Sequence, residues 1–173
     1  MEGAGGNGVS PHLRAGAIAA FIALALDQAS KLWLLFVFDL AHRGRVKVTP
    51  FFDLELAWNV GISFGWFQND SFLAQAVLTT IKAVAVVALA IWMSRSRNLL
   101  ATLALGLIIG GAVGNAIDRF AYGAVVDFAL FHVQIGGNTY HWYVFNLADV
   151  AIVAGVAALL YDSFLGVPAA KAP

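Results

Sequence analysis

A few polar residues set in very apolar sequence are the ones that could do chemistry. Asn115, Asp118 and Arg119 stand at i, i+3 and i+4 in Gly110-Gly111-Ala112-Val113-Gly114-Asn115-Ala116-Ile117-Asp118-Arg119. That stretch runs on to Val125-Val126-Asp127-Phe128, and is answered by Phe145-Asn146-Leu147-Ala148-Asp149. On helices, offsets of three and four put residues on one face. Ionisable groups in such surroundings are costly, so their default reading is functional. Two carboxylates sharing one proton can position a water and alternately take and give protons, with no cofactor. On residues alone, Asp118 and Asp127 are rivals for the partner of Asp149. Other chemistries fit less well. His12, His42, His132 and His141 form no His-x-x-x-His pair on a predicted helix, so no metal is expected. No Gly-x-Ser-x-Gly elbow is present, and Ser30 and Lys31 are helix neighbours that do not face each other.

The elements that must position these groups belong in a membrane. Of the 173 residues, 61% are hydrophobic and 12% charged, with a mean hydropathy of +0.81. Soluble domains are about 45–50% apolar and about 25% charged. The net charge of +0 gives no reason to expect nucleic acid as a partner. With no cysteine, disulfides, thiol nucleophiles and Cys-ligated metals are excluded. The pattern predicts one polytopic α-helical membrane domain over 1–173. Its four transmembrane spans are 13–38, 72–93, 99–119 and 144–164. Ala23-Leu24-Ala25 resembles a signal-peptide cleavage site. The weak positive charge before it and the apolar sequence resuming at Leu32 favour a span instead.

Within the first span Asp27 and Lys31 stand at i, i+4. They read equally as an ion pair at a membrane end and as the polar lining of a site. Between the first two spans, Phe52, Leu54, Leu56 and Trp58 alternate with Asp53, Glu55 and Ala57. That period predicts a small twisted sheet outside the membrane over 46–68, with turns or bulges at Gly61 and Gly65. Lys82 in the second span is expected to face the bundle, water or a carboxylate. Gly110 and Gly114 form a small-xxx-small pattern that allows close helix contact. Residues 121–143 form a second extramembrane connection, with a Gly136-Gly137-Asn138 turn. Lys and Arg balance on the two sides, and the short Arg95-Ser96-Arg97 turn tips the termini towards the cytoplasm.

Five stretches resemble the lipoprotein signal peptidases (signal peptidase II), bacterial aspartic peptidases of the inner membrane. They are Asp27-Gln28-Ala29-Ser30-Lys31, Trp58-Asn59-Val60-Gly61-Ile62-Ser63-Phe64-Gly65, Gly110 to Arg119, Gly123 to Phe128, and Phe145 to Asp149. The resemblance implies four membrane helices, a periplasmic β-cradle and a short periplasmic helix between the third and fourth spans. It implies removal of the signal peptide from diacylglyceryl-modified prolipoproteins, just before the lipidated cysteine, at the periplasmic face of the inner membrane. Membrane lipid is then a partner, no cofactor is needed, and the chain is expected to act as a monomer. The catalytic pair carries over to Asp127 and Asp149. Supporting or substrate-binding positions carry over to Asp27, Lys31, Asn59, Gly61, Asn115, Asp118, Arg119 and Asn146. Gly136-Gly137-Asn138 looks like an insertion relative to the family.

The chemistry of the rivals leans the same way. Asp118 has Arg119 beside it and Asn115 one turn away, so it reads as a tied-down structural charge. Asp127 has only valines and Phe128 around it, and desolvation should raise its pKa, as a shared-proton pair requires. The competing reading is a small proton-coupled transporter using intramembrane carboxylates. The sequence shows no inverted repeat or matched pair of broken helices for that role.

Overall fold

The computed structural model describes residues 10–60 and 72–165, the side chains of 72–79 and of 165 excepted. Gly61, Gly65 and the rest of the predicted cradle from 61 to 68 lie outside the described residues. Helix α1 spans Pro11–Leu32 and continues as a π-helical turn, Trp33–Val37. It starts where it does because Ser10 Oγ accepts from the Leu13 N–H at 3.1 Å and Pro11 takes the first turn. A short helix α2, Leu40–Arg43, leads to strands β1, Val46–Thr49, and β2, Phe52–Asn59. Helices α3, Phe72–Arg95, and α4, Leu99–Tyr122, follow. Asn98 caps α4 by accepting from Leu100 N and Ala101 N, and Gly123 ends it at φ 74°. Strands β3, Val125–Ile135, and β4, Asn138–His141, precede helix α5, Leu147–Leu165.

Three of the described segments are long and apolar enough to cross a membrane: Pro11–Val37, Leu99–Tyr122 and Leu147–Phe164. Helix α4 is the central one and packs against α1 and α5. Its glycines allow both contacts. A side chain at Gly110 would collide with the Ala20 carbonyl of α1, and one at Gly111 would stand 2.5 Å from the Ala148 carbonyl of α5. The small-xxx-small pair therefore seats α1, while the offset glycine seats α5. Lys82 is exposed on α3.

The sheet is larger than expected. Its order is β1-β2-β3-β4, antiparallel throughout, with Ala57 opposite Asp127 and Trp58 opposite Val126. The short helix expected between the third and fourth spans is not there. From Gly123 to Asn146 the chain contains strands β3 and β4 and no helix. The physical reason is legible in the residues. Phe131, Val133 and Ile135 alternate with His132 and Gln134, which suits a strand, and Gly136 and Gly137 supply the positive φ of 59° and 84° that a tight hairpin needs. Leu34, Leu40, Phe128 and Ala129 form a core beneath the sheet, joined by Phe38, Phe52 and Phe145. That core fixes the sheet to the end of the α1 segment.

Candidate active site

The site forms where β3 leaves α4 and α5 begins. Phe145 does the local joining. It exchanges backbone bonds with Ala129, its N–H donating at 3.0 Å and its carbonyl accepting at 2.8 Å. That bridge brings Asn146 against Asp127, two residues before Ala129 on β3. The Asn146 Nδ2 donates to Asp127 Oδ1 at 2.6 Å, and Asn59 Nδ2 from β2 donates to Asp127 Oδ2 at 3.1 Å.

Asn146 and Asp149 also cap α5 reciprocally. The Asp149 N–H donates to Asn146 Oδ1 at 3.0 Å, and the Asn146 N–H donates to Asp149 Oδ2 at 3.2 Å. This is the capping-box arrangement with Asn and Asp in its two positions. It sets Asp149 in the first turn of α5, where the helix dipole favours a carboxylate by about 0.3–1 kcal/mol. Asn146 thus holds both aspartates at once, through its side chain and its backbone. Asn115 Nδ2 adds a bond to Asp149 Oδ1 at 2.9 Å.

Asp127 is buried, with 2% of its surface exposed. Burial pushes its carboxyl up to about 6 from the ordinary 3.8, against the opposing bond from Asn59 and with the help of the charge on Asp149. The pair therefore has one carboxyl that holds a proton more readily than usual. The Arg119 guanidinium lies within the field of Asp127, Asp118 and Asp149.

Beneath the aspartates lies an ionic knot. Lys31 Nζ stands 2.7 Å from Asp27 Oδ2 and 2.7 Å from Asp118 Oδ2, and all three side chains are buried. It also donates to Asn115 Oδ1 at 3.2 Å, which turns the Asn115 amide so that its Nδ2 faces Asp149. Asp27 Oδ1 accepts from the Ala148 N–H at 2.9 Å, and Asp118 Oδ2 accepts from the Val126 N–H at 3.1 Å. One carboxylate thus ties α1 to the first turn of α5, and the other ties α4 to the start of β3. Asp27 and Lys31 are neither snorkelling nor exposed lining. They hold together the elements that carry Asp127 and Asp149.

The family model described as signal peptidase (SPase) II matches residues 19–165. A lipoprotein signal peptidase of Nitrobacter hamburgensis is 74% identical over 161 residues, 93% of this chain and 98% of that protein. One from Rhodopseudomonas palustris is 68% identical over the same shares. The chain belongs to the signal peptidase II family. Two solved structures agree with this peptidase in fold. A bacterial membrane enzyme determined by the in meso method at 1.9 Å superposes with a TM-score of 0.70 at 25% identity, over 86% of this chain and 92% of that one. A second, at 2.3 Å, gives 0.63 at 26% identity, over 91% and 94%. The transporter reading finds no support among these relatives.

Nine of the ten site residues expected from sequence lie in or directly beneath this one cluster: Asp27, Lys31, Asn59, Asn115, Asp118, Arg119, Asp127, Asn146 and Asp149. Gly61 is the tenth and lies outside the described residues. Two details differ from the sequence reading. Asp118 is tied by Lys31 and Gln28, not by Arg119, whose guanidinium donates to the Asn115 carbonyl at 3.1 Å. The expected valine surroundings of Asp127 include two amide donors. Sequence reasoning missed Gln28, whose Nε2 donates to Asp118 Oδ1 at 2.9 Å and to the Gly114 carbonyl at 3.2 Å. Its place beside Asp27, in helical sequence with no other use for an amide, was the available signal.

Proposed function

We propose that Asp127 and Asp149 form the catalytic pair of this signal peptidase II, an enzyme that removes the signal peptide from prolipoproteins. The observation that carries the assignment is Asn146, which bonds both carboxylates; burial, against that bond, raises the pKa of Asp127. Asp149, at the positive end of α5, is the carboxylate that takes a proton from water. Asp127 carries the proton and donates to the scissile carbonyl oxygen. The water oxygen then bonds to the carbonyl carbon. The proton held by Asp149 passes to the departing amine nitrogen as the peptide bond breaks, while the carbonyl re-forms and its hydroxyl proton returns to Asp127. Lys31, Asn115 and Asn146 are positioning residues, and Asn59 reaches the pair from the sheet.

In this reading α3 is a further membrane span, since 24 residues give about 36 Å of helix. Four spans put both termini in the cytoplasm and the sheet at the periplasmic surface. The substrate is a prolipoprotein with a diacylglyceryl group on its cysteine, cut just before that residue, and the peptidase acts as a monomer. The test is cleavage of a lipidated precursor by purified protein, read by mass spectrometry. Asp127→Asn and Asp149→Asn should each abolish it, and the double variant should be no worse than either. Cleavage by Asp127→Asn, with loss in Asp118→Asn, would move the pair to Asp118 and Asp149.

A further inference from the structure

The sheet treats its two edges differently. Strand β1, one edge, carries Lys47, is flanked by Arg45 and Pro50, and shifts register between Lys47 and Thr49. A lysine, a proline and a bulge are common means by which a protein keeps another chain from adding a strand. Strand β4, the other edge, has none of them. Asn138-Thr139-Tyr140-His141 runs on into Trp142 and Tyr143 without lysine, arginine, carboxylate or proline. All four β4 residues are exposed, and their register with β3 is unbroken. The outer side of the β4 backbone is also unpaired. The Trp142 N–H donates to the Phe131 carbonyl at 2.8 Å, and the His132 N–H turns the other way, to the Phe51 carbonyl at 3.0 Å. Bonded and non-bonded pairs alternate along an antiparallel ladder. Tyr140 therefore bonds to Val133, whereas Thr139 and His141 turn their N–H and carbonyl groups outwards, where no described residue meets them. This edge reaches the site. Past His141 the chain comes to Phe145, which pairs with Ala129 and leads into Asn146. His141, Trp142 and Asp149 border one cavity.

We infer that β4 is a docking edge for the polypeptide just beyond the lipidated cysteine of the substrate, which joins the sheet as a further strand. This rests on the reading above. The row of outward N–H and carbonyl groups is matched by an extended backbone, and a chain is extended where a peptidase cuts it. Direction decides which side of the substrate it is. Strand β4 runs towards the aspartates, so a chain leaving them in its own N-to-C direction lies antiparallel to β4. A chain arriving at them would lie parallel, the slightly weaker pairing. In this substrate that chain is the apolar signal peptide, which belongs in the membrane. From Asn138 to Trp142 the edge is about 17 Å long, enough for about five residues of the mature segment. Pairing through the backbone asks little of side-chain identity. The edge therefore sets the conformation of the mature segment rather than its sequence.

The test uses lipidated synthetic precursors and the full-length protein in detergent. One precursor ends at the cysteine as an amide, and the other carries the mature segment as well. The wild type should cut the longer one with a kcat/KM about tenfold higher or more, mainly through KM. A series of longer precursors, each methylated at one backbone nitrogen beyond the cysteine, then reads the pairing. The methyl removes a donor, so kcat/KM should fall about threefold to tenfold at every second position and stay within about twofold at those between. Thr139→Pro removes an outward N–H and leaves the ladder to β3 in place, as a proline on an edge strand can. It should erase most of the difference between the two precursors. Losses that do not alternate, or a wild type indifferent to the mature segment, would overturn the docking edge and leave the peptidase reading intact. So would a dimer that Thr139→Pro turns into a monomer, since a second copy would then cover the edge. A wild type that cuts neither precursor would sink both.

Discussion

Replacing Lys31 by methionine tests the frame beneath the aspartates. The methionine keeps most of the volume of the stem and removes the charge. Lys31 is 2% exposed, and its ammonium is 2.7 Å from a carboxylate oxygen of Asp27 and 2.7 Å from one of Asp118. Removing one partner of a buried ion pair costs about 3–5 kcal/mol, because it strands a buried charge. Here two carboxylates are stranded. Each keeps other donors, Ala148 N for Asp27, and Val126 N and Gln28 for Asp118, so the same range holds rather than its double. At about 2–4 °C per kcal/mol for a chain of this size, the unfolding midpoint in detergent should fall by roughly 6–20 °C. Arg43→Ala is the control. Arg43 is exposed, donates to the Phe38 carbonyl and lies over that ring, and should lower the midpoint by about 2 °C at most. Cleavage should fall further than the loss of folded protein explains, because Asn115 Oδ1 loses one of the two donors that turn its amide towards Asp149 and keeps only Asn146 Nδ2. Adding Asp118→Asn to Lys31→Met removes one stranded charge and should recover part of the stability. A Lys31→Met protein as stable as Arg43→Ala would refute the reasoning, and so would a double variant less stable than the single.

The remaining expectations use other parts of the site. The proton on Asp127 is lost as pH rises through about 6, so kcat/KM should fall on the alkaline side of that value; Asn59→Ala removes a bond that favours the ionised form, and the limb should move to higher pH, whereas an unmoved limb would place the titration elsewhere. Gly111→Val would drive side-chain atoms into the Ala148 carbonyl and displace the start of α5; cleavage should drop at least about tenfold while the protein still folds, and wild-type activity would show that α5 tolerates the shift. Single cysteines at Asn138 and Ser96 test the topology: a membrane-impermeant thiol reagent on intact spheroplasts should label only the first, and labelling of the second alone would invert the arrangement.

Much of this was legible in the chain itself. A charge content of 12% with long apolar runs admits a membrane protein and little else. The offsets within Asn115-Ala116-Ile117-Asp118-Arg119 and Asn146-Leu147-Ala148-Asp149 are local, and helical geometry alone puts each set on one face. The β2 alternation is equally local, because side chains on a strand change face at every residue. The β3–β4 hairpin was also present as alternation and a Gly-Gly turn, yet an expectation taken from resemblance overrode that signal.

What the sequence could not supply is contact between distant segments. Asn115 and Asn146 are far apart in the chain, and nothing in either stretch says that one amide donates to Asp149, the other to Asp127, and that the two bond each other. Asp27 and Lys31 read equally as a surface pair and as a site lining, since a spacing of four is the same in both. Only the packing of α1 against α4 decides that they are buried and that Lys31 reaches Asp118. The choice between Asp118 and Asp127 follows from the same packing. One carboxylate faces a lysine brought from another helix, and the other faces two amides and the start of α5. Burial and charge neighbours are properties of tertiary structure, and they set which aspartate is tied down and which is left able to hold a proton.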